Sequence, residues 1–380
     1  SDVCSSDLVA AMRQRGARIE MPDETLVVPV RAYNLCDVCT FTEPFDIVIL
    51  VSKAYDTRWH CHLIEPYLKP DGLLAGVQNG MTTDAIAEVV GAERTIGCVI
   101  EISSMMFDPG VVERHSPPPR SWFAVGSIHP ATAGREHDIA DLLRHSGAVE
   151  IVSDIRSTKW MKLVSNATTL VTTAILGLPM IEAVRLPGMR DLMIRSGQEA
   201  LDAGMGAGRE ALPIFGLKAA DLGEPDQIVE RLLDTLLGGF VLPHTKTTVL
   251  QDWMKGRHSE VDDINGLVVS ESTRLGRRAP VNAAVAELGR RIERKTLTPD
   301  PRWTSYLDDV AQYADKPLKP PAALNGQQRP EGFEAWYATN GVLKGNGPRA
   351  CASFSNRKPA QKQRDRKSTR LNSGHVSESR

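Results

Sequence analysis

Lys162 and Asn166 stand four residues apart in a stretch with helical apolar spacing, so their side chains share one helix face, with Trp160 and Leu163 on the flanking faces. Among Leu, Val and Thr neighbours such a polar pair needs partners if it is buried, and it reads either as an interface pair or as part of a ligand site. Lys53 and Asn79 each lie one or two residues beyond an apolar run. In open α/β sheets ligands bind outside the carboxyl ends of the strands, so the two should share one edge. A lone lysine after a strand is commonplace; the pair is more informative. Glu260, Asp262 and Asp263 open another helical stretch, where Ser259 and Asp262 have capping-box spacing. Acids in a first turn complement the helix dipole, which accounts for Asp262 and Asp263. Cys36 and Cys39 have the CxxC spacing, and His60, Cys61 and His62 are further possible ligands. A structural zinc site needs two tight ligand pairs on loops, while His60 and Cys61 sit in a helical segment, so the cysteines read as incidental thiols and no metal is expected.

The elements that must position these residues fall into two halves. Asp46 to Val51 is a continuous β-branched and apolar run, the pattern of a strand buried on both faces of a parallel sheet. A helical stretch (Thr57 to Leu68), a turn at Pro70-Asp71-Gly72, a strand (Leu73 to Val77) and another helix (Thr83 to Val90) follow. Thr95 to Ile102, Trp122 to Gly126 and Ala148 to Val152 read as further strands, the last two around a helix at Arg135 to His145. The alternation predicts an open α/β sheet with right-handed crossovers. From Ser157 the spacing turns helical, with helices at Lys159 to Leu176, Met189 to Ala203, Gln227 to Leu237, Gln251 to Met254, Glu260 to Leu275 and Val281 to Lys295, and Pro280 suits the first turn of the last. Gly204-Met205-Gly206-Ala207-Gly208 follows a helical pattern rather than a strand, so it reads as a helix end and not a dinucleotide turn.

With 380 residues, 42% hydrophobic and 24% charged, the chain is long enough for two globular domains. A net charge of -2 offers no field to recruit nucleic acid or an anionic membrane surface. No apolar run reaches the roughly 18 residues of a membrane helix, and six cysteines are too sparse for a disulfide scaffold, so a cytoplasmic location is expected. Residues 1–8 carry no period and read as a non-native segment. The domains expected are a dinucleotide-binding unit over 9–154, a helical substrate and catalytic unit over 155–295, and a poorly ordered tail over 296–380. A short helix at Trp303 to Tyr313 interrupts that tail, and residues 341–380, with ten Lys or Arg against two acids, read as a disordered basic stretch; its functional reading is a nucleic-acid or targeting arm, but its terminal string Arg366 to Ser373 reads as non-native.

Several strings in order resemble the ketopantoate reductase (2-dehydropantoate 2-reductase) family: Val51-Ser52-Lys53-Ala54-Tyr55-Asp56-Thr57, Gln78-Asn79-Gly80-Met81, Lys159-Trp160-Met161-Lys162-Leu163-Val164-Ser165-Asn166, Leu250-Gln251-Asp252-Trp253, Gly256 through Gly266, and Pro280-Val281-Asn282. The resemblance covers about residues 9 to 295. It implies a Rossmann-like parallel-sheet domain followed by an all-α domain, and NADPH-dependent reduction of ketopantoate to pantoate in pantothenate and coenzyme A biosynthesis. By the same resemblance Lys162 matches the general acid. Glu260 matches the glutamate near the substrate hydroxyl and the cofactor, Lys53 and Asn79 match cofactor and substrate contacts at the sheet edge, and Asn166 and Thr248 match substrate-binding positions.

The chain departs from the family pattern at Leu170, where better-known members carry a second asparagine, and at Thr248, where they carry serine. Losing an amide removes a polar substrate contact, so a related 2-oxo acid is the first alternative substrate. A non-catalytic cofactor-binding or regulatory protein is the second alternative; it predicts loss of a reactive group, yet Lys162 and Glu260 are both present. The family's first strand, Gly-rich turn and most of its first helix are expected to precede Val9, which would leave this chain a fragment that binds NADPH poorly and hide any NADP preference. The partner expected is a small 2-oxo acid, with no nucleic acid or membrane partner. The sequence leaves the oligomeric state open, a homodimer being one option.

Overall fold

A computed structural model of the chain describes residues 3 to 312. The first half contains α1 (Val3–Arg15), β1 (Ala17–Glu20), β2 (Thr25–Val28), β3 (Phe45–Leu50), α2 (Thr57–Ile64), β4 (Leu68–Val77), α3 (Thr83–Val90) and β5 (Thr95–Glu101). It continues through β6 (Ser104–Met105), β7 (Val111–Arg114), β8 (Trp122–Ser127), α4 (Glu136–Leu143) and β9 (Ala148–Ile151). The second half is helical: α5 (Ile155–Ala174), α6 (Met180–Val184), α7 (Met189–Gly206), α8 (Ile228–Gly239), α9 (Thr248–Met254), a π-turn at Asp262–Gly266, α10 (Leu267–Arg274), α11 (Pro280–Glu293) and α12 (Trp303–Gln312).

The main sheet has the order β3-β4-β5-β8-β9 and is mixed rather than purely parallel, because β8 runs antiparallel to β5. The reason lies in the connection. Residues 102–121 carry no crossover helix and instead leave through β6 and β7, so β8 returns in the opposite direction. That excursion pairs with β1 and β2 in a second sheet of order β2-β1-β7-β6, which the sequence pattern does not predict. The turn expected at Pro70-Asp71-Gly72 is instead an irregularity within β4, where the register with β3 jumps from Phe45 opposite Leu68 to Ile47 opposite Leu73.

The central element of the helical half is α5, twenty residues with all positions buried except Arg156 and Leu170. Asp154 caps it by accepting from the Ser157 N–H. Four buried threonines, at 168, 169, 172 and 173, satisfy their hydroxyls by donating to carbonyls four residues back, which lets them sit in an apolar core. The start of α5 reaches the sheet at Gly97 of β5 and Gly126 of β8, where any Cβ would come 2.7 Å from Ile155 atoms. Two glycines thus fix the seat of α5 on the sheet.

Other expectations change in detail. The capping box at Ser259 does not form, because the Ser259 hydroxyl donates to Glu293, while Asp262 pairs with Arg290. The poorly ordered tail expected from residue 296 does not hold for its first part: Tyr306, Leu307 and Val310 of α12 join the helical core, since this amphipathic turn finds apolar surface on α7 and α11. α1 begins at Val3, within residues that carry no sequence period. The basic stretch at 341–380 lies outside the described residues.

Candidate active site

Lys159, Lys162, Asn166 and Leu170 recur at spacings of three and four, so they form one stripe along α5. The stripe faces the ends of the strands. Lys159 Nζ donates to the carbonyls of Gln78 and Cys98, each at 3.0 Å. One turn on, Lys162 is ion-paired with Glu101, the last residue of β5, and its ammonium lies 5.2 Å from the centroid of the Phe215 ring. Asn166 Nδ2 donates to Asn79 Oδ1 at 3.1 Å. Phe215 holds a left-handed backbone, φ 63°, a conformation that costs an L side chain on the order of 1–3 kcal/mol and that here lays the ring against the lysine.

A second constellation gathers at the end of β3. Lys53 Nζ donates to Asp252 Oδ2 at 2.5 Å and to Thr248 Oγ1 at 2.7 Å, with Glu260 Oε2 at 3.8 Å. Glu260 Oε1 accepts from the Ala54 N–H at 3.0 Å. Helix α9 supplies Thr248 and Asp252 on one face, and Thr247 caps it by accepting from the Leu250 N–H. Glu260 precedes the π-turn, a distortion that is frequent at functional sites. Burial pushes the Asp252 carboxyl above its ordinary range, and the Lys53 ammonium pulls it back. Partial burial, with the charges of Glu260 and Asp262 beside it, pushes the half-buried Asp263 carboxyl up to about 6.

The two constellations line one cleft of about 470 Å³ between the sheet edge and the helical half, within the size range of small-molecule sites. Lys53, Asn79, Lys162, Asn166, Thr248 and Glu260 all line it, as does Leu170. Within it Lys162 pairs with Glu101 rather than Glu260, while Glu260 faces Lys53 and the Ala54 amide. Sequence reasoning missed Glu101, Asp252 in its pairing role, and Phe215. Glu101 had a usable signal, since it ends a strand as Lys53 and Asn79 nearly do; Phe215 had none. Cys36 and Cys39 lie exposed in a short 3-10 turn, and Cys61 is buried in α2 with its thiol pushed up to about 11 by desolvation.

Lys159 is fully buried without a hydrogen-bonded counter-ion, and desolvation lowers its amine from 10.5 to about 8. A neutral amine has two N–H groups, enough for the two carbonyls it serves. Because the unfolded chain keeps that proton to higher pH, stability should rise as pH increases from about 8 towards 10.5, by an amount on the order of 3 kcal/mol at most. Below 8 both states carry the proton and the dependence vanishes. Urea unfolding of the wild type and Lys159→Met across this window should give curves that diverge with pH. Parallel curves would remove Lys159 as the titrating group.

Two family models match the chain. The one described as Ketopantoate reductase PanE/ApbA covers residues 3–127, and the one described as Ketopantoate reductase PanE/ApbA C terminal covers residues 154–293. A 2-dehydropantoate 2-reductase of Archaeoglobus fulgidus is 25% identical over 253 residues, 66% of this chain and 78% of that protein. One from Caulobacter vibrioides is 25% identical over 254 residues, 64% of this chain and 77% of its own. Among solved structures, a PanE/ApbA family ketopantoate reductase from Ralstonia eutropha superposes with a TM-score of 0.61 at 24% identity, covering 76% of this chain and 88% of that one. D-mandelate dehydrogenase in a ternary structure with NADH and anilino(oxo)acetate superposes with a TM-score of 0.67 at 16% identity, covering 76% and 89%, a likeness of fold.

Proposed function

The chain belongs to the ketopantoate reductase family, and we propose that it reduces ketopantoate to pantoate with NADPH, Lys162 acting as general acid. The observation that carries this reading is the convergence of Lys162, Asn166, Asn79, Lys53 and Glu260 on one cleft at the strand ends. The strand-end groups Lys53 and Asn79 suit the nicotinamide end of a dinucleotide; a Gly-rich strand-turn-helix for the pyrophosphate is not among the described residues. When bound, the cofactor supplies a hydride to the carbonyl carbon. Lys162 donates the proton to the carbonyl oxygen, and its ammonium stabilises the negative charge that develops there. Glu101 and Phe215 aim that ammonium. Asn166, steadied by Asn79, binds the substrate, and Glu260 holds the substrate hydroxyl side while its other oxygen fixes the loop after Lys53. Thr248 completes the substrate side.

A second substrate is favoured by Leu170, which brings an apolar side chain to the stripe one turn beyond Asn166 and lines the cleft. This reading assigns the cleft to a less polar branched 2-oxo acid. A turnover panel decides between them, following oxidation of reduced nicotinamide with ketopantoate and with branched 2-oxo acids lacking its hydroxyl, at NADPH and NADH concentrations raised until the rate saturates. The highest kcat/KM for ketopantoate with NADPH supports the first reading, and a hydroxyl-free acid ahead by tenfold or more replaces it. Absence of turnover on every 2-oxo acid at saturating cofactor would exclude both.

A further inference from the structure

Away from the cleft, Glu113, His115 and His244 come together from two halves of the molecule that the reductase reaction does not explain. Glu113 is the penultimate residue of strand β7, His115 directly follows the strand, and His244 lies in the segment between α8 and α9. His115 Nε2 lies 3.0 Å from Glu113 Oε1, and His244 Nε2 lies 2.8 Å from the same oxygen. All three potential donor atoms fall within 4.8 Å of one another.

We propose that Glu113, His115 and His244 form a binding site for one divalent transition-metal ion, best matched by zinc, which ties β7 to the segment that leads into α9. Two imidazole nitrogens and one carboxylate oxygen are a donor set that zinc accepts, with water in the fourth position. Zinc bonds of roughly 2.0–2.2 Å place tetrahedral donors about 3.3 Å apart, so the carboxylate contacts must open by a few tenths of an ångström and the two imidazole nitrogens, within 4.8 Å of each other, must close towards that spacing. Glu113 and His244 are about half exposed and free to make that adjustment, which also leaves a path for the ion. His115, by contrast, is 1% exposed and held from behind: its Nδ1 lies 2.7 Å from the Thr245 hydroxyl, whose oxygen also accepts from the Leu242 N–H. When Nδ1 carries the ring proton and donates to Thr245, the Nε2 lone pair faces the carboxylate oxygen, and a cation between them resolves the repulsion. Such an outer partner is the usual means of orienting a ligating imidazole.

The protonation states agree with this geometry. Burial holds His115 below the ordinary histidine range, with Lys246 adding to the effect, and the hydrogen bond from His244 holds Glu113 below the ordinary carboxylate range. A neutral imidazole and an ionised carboxylate are the forms a metal requires. Lys246 also repels an incoming cation, which limits affinity. Because Thr245 to Thr248 line the cleft, a bound ion would fix the segment that presents Thr248 to Lys53.

Calorimetric titration of the chelator-treated chain with zinc chloride tests the site. One ion per chain is expected, with affinity weakened at least about tenfold in both His244→Ala and Glu113→Gln, and unchanged in His258→Ala, which removes a different His–Glu pair, that with Glu293. Zinc should also raise the thermal midpoint of the wild type but not of His244→Ala, whose metal-free midpoint stays near that of the wild type because His244 is exposed. Absence of saturable binding, or binding that survives both substitutions, would overturn the proposal and leave the cluster a hydrogen-bonded pair of histidines.

Discussion

Lys162→Ala should lower kcat by about 10² to 10⁴, with a much smaller effect on cofactor affinity, because the lysine's contribution arises as the carbonyl oxygen gains charge. The variant has a second, structural consequence. Glu101 pairs with Lys162 at a site where its side chain is only 8% exposed, so removing the lysine leaves a buried carboxylate alone, at a cost of about 3–5 kcal/mol. Low activity in the single variant would therefore mix chemistry with instability. Lys162→Ala combined with Glu101→Gln separates them: the neutral amide restores most of the stability, while kcat stays low. Steady-state kinetics beside urea unfolding of both variants gives the two readouts. Recovery of kcat in the double variant would show that Lys162 acts through folding alone, and the general acid would have to be sought elsewhere.

The elements that positioned this lysine were readable where local pattern and tertiary structure agree. Helix α3 and the α11 start at Pro280 follow directly from apolar periodicity and proline placement, and β3, β5 and β8 follow from apolar runs. The stripe on α5 was legible as the Lys162 and Asn166 pair because helical spacing is a local property. What the stripe touches was not. Glu101 lies 61 residues from Lys162 in the chain, and nothing in a strand's composition says which acid at its end meets which base. The direction of β8 was hidden for a related reason: an apolar run has the same pattern whether its neighbour is parallel or antiparallel. Strands β1, β2, β6 and β7 have two to four residues each, too short for a period to register. At Ser259 a correct local signal lost to a tertiary one, because Glu293 takes the hydroxyl that the capping box would have used.

Lys53→Met should destabilise the protein by about 3–5 kcal/mol, the range for breaking a buried ion pair from one side. Although Lys53 itself is 30% exposed, both carboxylates that it faces are buried, Asp252 at 5% and Glu260 at 4% side-chain exposure. Without the ammonium the two negative groups repel one another at the junction of β3, α9 and the π-turn. Glu260 retains the Ala54 N–H, whereas Asp252 loses the charge that opposes its desolvation. Asp252 should therefore hold its proton to higher pH in the variant than in the wild type, and the loss of stability should shrink as pH falls and this carboxyl becomes neutral. Adding Asp252→Leu removes the orphaned charge and should recover much of the loss, since an apolar pair of similar volume often equals a buried ion pair. Denaturant unfolding of the two single variants and the double variant closes the cycle, with a favourable coupling of a few kcal/mol expected between positions 53 and 252. Additive effects would mean that Lys53 and Asp252 act independently, and the cleft would then owe its shape to the packing of α5 on the sheet rather than to the charges across it.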